Sequence, residues 1–236
     1  MSCRHMWPFN KRKIQNKKLF GFTDWHSHIL PGVDDGVQTM EEALEILCLY
    51  EELGIETVWL TPHIMEDIPN TTSYLKERFT ELQVAYTGPI ALHLAAENML
   101  DNLFEERLKE NDLLPLGENN DHLLVETSYF RPPMNLYTIM EHIKTKGYHP
   151  VLAHPERYTY MEIADYHRLK EIGVKFQINI PSIVGMYGKL AKKKALLLLN
   201  ERMITCAGTD THNYNMLQTC ICTSITEKNY RLIDSF

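Results

Sequence analysis

The stretch Asp24–His28 reads Asp-Trp-His-Ser-His, and it is followed after one turn by Asp34-Asp35-Gly36. It overlaps an apolar run, residues 22–26, that predicts the first strand of the fold. Because alternate side chains of a strand lie on one face, His26 and His28 can direct two imidazoles at one point. Imidazole together with a nearby carboxylate is a typical ligand set for Zn, Mn and Fe. His-x-His also arises by chance, so the pair predicts a metal site only if other segments supply matching ligands.

The length and composition indicate an ordinary globular chain. It has 236 residues, of which 44% are hydrophobic and 23% charged, and its formal net charge is -7. This length suffices for one sizeable core, and the mild acidity argues against nucleic-acid binding. The five cysteines show no disulfide spacing, which indicates reduced thiols.

The chain ends and the apolar runs bear on location. Residues 1–20 form a basic tail without the apolar core of a secretory signal. No apolar run approaches the roughly 18 residues of a membrane span. We therefore predict a cytoplasmic protein with one domain over residues 21–236, preceded by the tail 1–20.

Short apolar runs alternate with helical patterns from residue 22 onward. The runs that predict strands are 22–26, 57–61, 90–96, 122–126, 149–153, 174–179 and 204–208. Helical patterns lie between them, from a capping box at Thr39–Glu42 to a Lys-rich segment near 189–200. Strands separated by helices predict right-handed βαβ units and a parallel sheet. Seven units favour a closed or nearly closed (β/α) barrel, and a doubly wound open sheet is the alternative.

Metal-type side chains follow six of the seven predicted strands. In a (β/α) barrel the loops after the strands share one face, which carries the chemistry. The nine candidate ligands are His26, His28, Asp35, His63, Glu97, Glu126, His154, Asp210 and His212. Because one zinc ion takes three or four protein ligands, nine predict two or three ions, with a carboxylate such as Glu97 as a bridge. Histidine and carboxylate donors without thiolate favour Mn, Fe or Zn.

Clustered divalent ions activate water and stabilise both oxygens of an in-line displacement, which suits phosphoester hydrolysis. Arg157, three residues after His154, can offer a guanidinium fork to a phosphate oxygen. A surface salt bridge is the alternative role for Arg157. Away from these residues, Lys192–Lys194 predict a solvated helix face, and Cys206 is expected to pack as a small hydrophobe.

These residues resemble the polymerase-and-histidinol-phosphatase (PHP) superfamily. The motifs that carry the likeness are His26-Ser27-His28, Thr61-Pro62-His63, Glu97, Glu126, His154 and Asp210-Thr211-His212. More narrowly, residues 26–36, 153–158 and 176–179 look like bacterial metal-dependent protein-tyrosine phosphatases of capsule and exopolysaccharide operons. The likeness spans about residues 20–213.

The resemblance implies a distorted (β/α)7 TIM-like barrel with a trinuclear, usually manganese-supported centre; Fe or Zn are the other candidates. It assigns His26, His28, Glu97 and Asp210 to one ion, Glu97, Glu126 and His154 to a second, and Asp35, His63 and His212 to a third. Asp34 is then a residue that shapes the turn before Gly36. The family's chemistry is attack by a metal-bound hydroxide without a phosphocysteine. In agreement, no cysteine here is followed six positions later by arginine.

The family's usual partner is a tyrosine autokinase that governs polysaccharide chain length and export. The resemblance thus implies the phosphotyrosine tail of such a kinase, a polysaccharide co-polymerase, as substrate. One departure concerns the Arg-Pro pair that commonly follows the last histidine, since residues 213–222 contain neither residue. The alternatives are a small-molecule phosphatase of the histidinol-phosphatase type and a non-catalytic, metal-stabilised binding module.

Overall fold

Short parallel strands alternate with helices in Leu19 and residues 21–223, which are the residues described by the computed structural model. The strands are β1 (Phe22–Ser27), β2 (Ile55–Leu60), β3 (His63–Ile64), β4 (Ala91–Leu94), β5 (Glu97–Met99), β6 (His122–Glu126), β7 (His149–Leu152), β8 (Lys175–Asn179) and β9 (Cys206–Gly208). The helices are α1 (Met40–Leu53), α2 (Thr72–Ala85), α3 (Asn102–Glu110), α4 (Leu136–Thr145), α5 (Ile163–Glu171), α6 (Ile180–Val184), α7 (Gly188–Asn200) and α8 (Tyr214–Cys222). Apart from Leu19, the predicted tail 1–20 lies outside the described residues.

The strands form two parallel sheets within one α/β domain. One has the order β1-β2-β4, and the other has the order β3-β5-β6-β7-β8-β9. The chain itself joins the sheets on one side, where β2 ends at Leu60 and β3 begins at His63. On the other side the Asp210 amide donates to the His26 carbonyl over 2.8 Å. The predicted α/β fold with parallel strands is confirmed.

Two of the predicted strands are divided in the structure. The second stops at Leu60 and resumes as β3, because Pro62 has no N–H to donate to a ladder. The third, predicted over 90–96, is β4 followed by the separate strand β5. Helix α3 begins at Asn102, after β5. As a result, His63 of β3 is directly paired with Glu97 of β5.

Apolar side chains between strands and helices fix the strand ends in place. One cluster packs Ile46 and Leu47 of α1 against Val58 and Leu60 of β2, all fully buried. A second cluster packs α4, α5 and α7 against β6, β7 and β8. Burying one such side chain contributes about 1.5–3 kcal/mol, so these clusters stabilise the scaffold strongly.

Helix α1 shows how local sequence signals connect to the site. The Thr39 hydroxyl caps it by accepting from the Glu42 amide over 3.2 Å, as the capping pattern predicts. Gly54 ends it with a φ of 84°, which glycine adopts without strain. On the inner face Tyr50 donates its hydroxyl to Asp24 of β1 over 2.7 Å. No helix among the described residues has both the length and the hydrophobicity needed to cross a membrane.

Candidate metal centre

The nine predicted ligands lie together at the carboxyl ends of the strands. Four groups have donor atoms within 4.8 Å of one another: His28, Asp35, His63 and His212; His26, His28 and Asp210; His26, Glu97 and His154; and His63, Glu97 and Glu126. We call His26, Glu97, His154 and Asp210 the inner cluster, and Asp35, His63 and His212 the outer cluster. His28 lies between the two clusters, because its donors belong to a group in each.

Glu97 is at the middle of the inner cluster. Its Oε1 lies 2.8 Å from His154 Nε2, while Oε2 lies 3.1 Å from His26 Nε2. The same Oε2 is 3.2 Å from both His28 Nε2 and His63 Nδ1. One carboxylate therefore contacts four imidazoles, which is the position expected of a bridging ligand.

The donor spacing fits shared divalent ions. Ligand atoms about 2.1 Å from one ion and at right angles are about 3.0 Å apart. His26 Nε2 and His28 Nε2 are 3.1 Å apart, which matches this spacing. Among the described residues, Glu97 Oε2 and His63 Nδ1 are buried without a hydrogen-bond partner. Buried polar atoms left in this way are costly unless something else satisfies them, and a metal ion would do so.

Asp34 has a larger role than shaping the turn. Its Oδ1 accepts from the Gly36 amide over 2.9 Å, as predicted for the turn. Its Oδ2 also accepts from His28 Nδ1 over 2.8 Å and from the His63 amide over 3.0 Å. Burial opposes the charge, but the His28 imidazole and these hydrogen bonds hold the pKa of Asp34 at about 2. Because Asp34 binds the Nδ1 proton, the Nε2 lone pair of His28 is directed at the cluster.

Strand β8 supplies two residues that orient the inner cluster. Gln177 Oε1 accepts from His26 Nδ1 over 2.9 Å and from the His154 amide over 3.2 Å. Two positions on, Asn179 Nδ2 donates to Asp210 Oδ2 over 2.6 Å. From its sequence this strand was expected to supply no ligand, and Gln177 was not predicted as a site residue. Its i, i+2 spacing with Asn179 is the signal that places both on one face.

Arg157 and Asp210 form an ion pair beside the inner cluster. Arg157 Nη1 donates to Asp210 Oδ2 over 2.9 Å, and one-fifth of the Arg157 side chain is exposed. The other oxygen, Asp210 Oδ1, is 3.6 Å from His26 Nε2 and 3.4 Å from His28 Nε2. Burial lowers the pKa of Arg157, but the Asp210 charge outweighs it and raises this pKa above the usual range. The pair is thus enclosed at the rim rather than a freely solvated salt bridge.

The outer cluster is open to solvent. Asp35 Oδ1 lies 3.5 Å from His63 Nε2 and 3.6 Å from His212 Nε2, and the Asp35 side chain is 66% exposed. His63 faces both clusters, because its Nδ1 lies 3.2 Å from Glu97 Oε2 of the inner cluster, and it also lies 3.0 Å from Glu126 Oε1. The predicted third set of ligands is therefore brought together, with His28 added to it.

Two candidate ligands have strained backbones. His154 has a φ of 32° and Asp210 a φ of 52°, in the left-handed region that residues other than glycine rarely adopt. Each follows a strand, β7 or β9, and turns its side chain into the inner cluster. Strain of this kind persists only where surrounding contacts impose it, and it is concentrated at functional sites.

A parallel α/β domain with clustered histidines and carboxylates at its strand ends has the architecture of a metal-dependent hydrolase. Residues 22–231 match the family model described as capsular polysaccharide synthesis, CpsB/CapC. The chain belongs to this family.

Named relatives agree with this assignment. Tyrosine-protein phosphatase YwqE of Bacillus subtilis is 29% identical over 199 residues, covering 80% of this chain and 77% of YwqE. Tyrosine-protein phosphatase CpsB of Streptococcus agalactiae is 29% identical over 213 residues, covering 82% and 84%. A crystal structure from work on YwqE of Bacillus subtilis and CpsB of Streptococcus pneumoniae, "unique metal-dependent tyrosine phosphatases", superposes with a TM-score of 0.78. It is 26% identical and covers 91% of this chain and 87% of that one. The resemblance to capsule-operon tyrosine phosphatases is confirmed.

Proposed function

We propose that this protein is a metal-dependent phosphoester hydrolase that removes phosphate from phosphotyrosine in proteins. The observation that carries the proposal is the Glu97 carboxylate, which contacts four imidazoles at the ends of the strands. Relatives that match about four-fifths of the chain are tyrosine-protein phosphatases, which supports tyrosine phosphate as the substrate class.

We assign the metal ligands as the nine predicted residues, with manganese as the expected metal and Fe or Zn as the other candidates. One ion would be held by His26, His28, Glu97 and Asp210, a second by Glu97, Glu126 and His154, and a third by the outer cluster. When bound, such ions activate water for attack on phosphorus and neutralise the charge of the phosphoryl group. The donor spacing and the buried, unpaired Glu97 Oε2 support this assignment.

The chain's own residues orient the reacting groups. Asp34 and Gln177 hold the Nδ1 protons of His28 and His26, so that both Nε2 lone pairs are directed inward. Arg157 offers its remaining N–H donors to a phosphoryl oxygen. Cys206 of β9 is not proposed as a nucleophile, because burial raises the pKa of its thiol to about 12 and keeps it protonated.

We also propose that both sheets together form a distorted (β/α)7 barrel and that residues 21–236 are one phosphatase domain. The short connection from β2 into β3 on one side and the hydrogen bond from the Asp210 amide to the His26 carbonyl on the other support the barrel. The phosphotyrosine tail of a bacterial tyrosine kinase involved in polysaccharide export is the proposed partner, and the cytoplasm is the proposed location. Membership in the capsular polysaccharide synthesis family supports this partner.

The test is hydrolysis by the purified full chain loaded with Mn, Fe or Zn. We expect release of phosphate from a phosphotyrosyl peptide, loss of activity with a chelator, and loss in His154→Ala. His167→Ala, a histidine of α5 outside the candidate ligand set, is the matched control and should remain active. Cleavage of histidinol phosphate without cleavage of the peptide would favour a small-molecule phosphatase instead. Binding of a kinase-tail peptide without turnover under any metal would indicate a binding module.

A further inference from the structure

We propose that Tyr129 and Tyr187 form an aromatic clamp that positions Arg157 for the phosphoryl group. This inference rests on the proposed phosphatase function and names two residues that act through the arginine. It is carried by the contacts of two aromatic rings with a single guanidinium.

Both rings contact the Arg157 guanidinium. Arg157 Cζ lies 4.4 Å from the centroid of the Tyr129 ring and 4.1 Å from that of the Tyr187 ring. Tyr129 comes from the loop between β6 and α4, and Tyr187 comes from the junction of α6 and α7. A guanidinium within about 6 Å of a ring centroid is attracted to that ring, and here two rings from different loops are such partners.

Contact with two rings limits the directions in which the Arg157 guanidinium can point. Its five N–H donors all lie in the guanidinium plane, so they can still bind other groups while Cζ lies over a ring. Nη1 is used by Asp210 Oδ2, over 2.9 Å. Tyr187 also donates its hydroxyl to the same oxygen over 3.3 Å, which ties the clamp to a candidate ligand. The remaining edge is therefore held next to the inner cluster, where a phosphoryl oxygen would bind.

The Tyr129 side of the clamp is itself anchored. The Tyr129 carbonyl accepts from the Thr159 amide over 2.8 Å and from the Thr159 hydroxyl over 2.9 Å. Its ring centroid lies 5.8 Å from that of His154 and 6.1 Å from that of Tyr158. Tyr158 is fully buried, so this ring rests on a fixed surface.

The segment after the last candidate ligand offers no second guanidinium beside Arg157. Residues 213–222, which follow His212, contain no arginine. A phosphatase that relies on one guanidinium benefits most if that group is held in its binding orientation before substrate arrives, because less side-chain freedom is then lost on binding.

The experiment compares leucine and phenylalanine at position 129 in the manganese-loaded full chain. Tyr129→Leu should raise both the KM for p-nitrophenyl phosphate and the dissociation constant of inorganic phosphate about tenfold, with a smaller change in kcat. Tyr129→Phe keeps the ring and should stay within about threefold of the unaltered protein. Tyr187→Leu should act in the same direction as Tyr129→Leu. The matched control is Tyr148→Leu, because Tyr148 precedes the amino end of β7, whereas the candidate site lies at the carboxyl end.

A double-mutant cycle separates positioning from a structural role. If Tyr129 acts through Arg157, then Tyr129→Leu should change phosphate affinity little once Arg157→Ala is present. Additive effects, or equal effects of leucine and phenylalanine, would overturn the clamp. Phosphate binding measured by calorimetry needs no turnover. It therefore tests the clamp even if the unaltered protein does not hydrolyse phosphotyrosine. Absence of hydrolysis would reject only the proposed function. Should Tyr187→Leu fail to fold, the variants at Tyr129 decide the question.

Discussion

The inner and outer clusters use the same kinds of donor in different surroundings. The inner side chains are at most 2% exposed, whereas Asp35 of the outer cluster is 66% exposed and His212 is 21% exposed. Inner donors are also oriented by neighbours, as Gln177 orients His26 and Asn179 holds Asp210. Orienting partners of this kind set the direction and basicity of ligands. From this comparison we expect the inner side to be arranged before any ion binds, whereas the exposed Asp35 of the outer cluster becomes ordered on binding.

The largest expected effect is at Glu97. Glu97→Gln preserves the shape of the side chain but removes the charge that faces four imidazoles. We expect kcat/KM for a phosphotyrosyl peptide to fall about 10³-fold or more, since several kcal/mol of charge stabilisation are lost. Glu110→Gln, on the exposed end of α3, is the control and should leave kcat/KM unchanged. A loss below about tenfold would show that the inner cluster does not dominate the chemistry.

Metal binding should stabilise the folded chain mainly through the inner cluster. An ion at about one hundred times its dissociation constant adds about 2.7 kcal/mol to the free energy of unfolding. We expect manganese to raise the melting temperature and a chelator to reverse the rise, as followed by calorimetry. The rise should be largely absent in Glu97→Gln and largely kept in Asp35→Asn. If the rise in melting temperature were instead kept in Glu97→Gln and lost in Asp35→Asn, the outer cluster rather than the inner one would bind the stabilising ion.

Gln177 tests whether orientation of the inner cluster matters. Gln177→Met keeps much of the volume but removes the oxygen that accepts from His26 Nδ1 and from the His154 amide. Loss of such a partner typically costs about 10–100-fold in metal affinity or activity. Titration of manganese affinity would measure it, with Gln83→Met on the exposed face of α2 as the control. Unchanged affinity would mean that strand packing alone orients His26.

The sequence predicts the candidate ligands better than it predicts the residues that orient them. Residues such as His26, Glu126 and His154 stand out because each follows an apolar run, and parallel strands bring their ends to one edge. Gln177 does not stand out, because a glutamine in a strand has no metal preference to signal its role. Its contact with His26 spans 151 positions and depends on how the strands are ordered around the sheet.

At Lys194 and Pro62, too, the structure depends on tertiary contacts that the local sequence does not show. Lys194 was predicted on a solvated helix face, and this was wrong: its ammonium is buried and donates to the carbonyls of Tyr158 (2.7 Å) and Met161 (2.6 Å). These acceptors come from a loop about 35 residues away, which helical periodicity does not show. Pro62, by contrast, can be read from the sequence. Whether it divides a strand nevertheless depends on how that strand pairs with its neighbour.

The smallest expected effect is at Asp35, and its neighbour makes the test sharp. Asp35→Asn keeps an oxygen donor in an exposed side chain whose closest imidazole contacts are 3.5 and 3.6 Å, so we expect kcat/KM to fall less than about tenfold. Asp34→Asn makes the same change one residue earlier, where the carboxylate is buried, has a pKa of about 2 and accepts from His28. It should cost about 10–100-fold, because His28 loses the partner that orients it. Steady-state kinetics of both variants show whether the loss of kcat/KM follows the burial of the carboxylate, as at Asp34, or its role as a candidate metal ligand, as at Asp35. If Asp35→Asn costs as much as Asp34→Asn, the exposed carboxylate of the outer cluster contributes to catalysis as strongly as the buried carboxylate that orients His28.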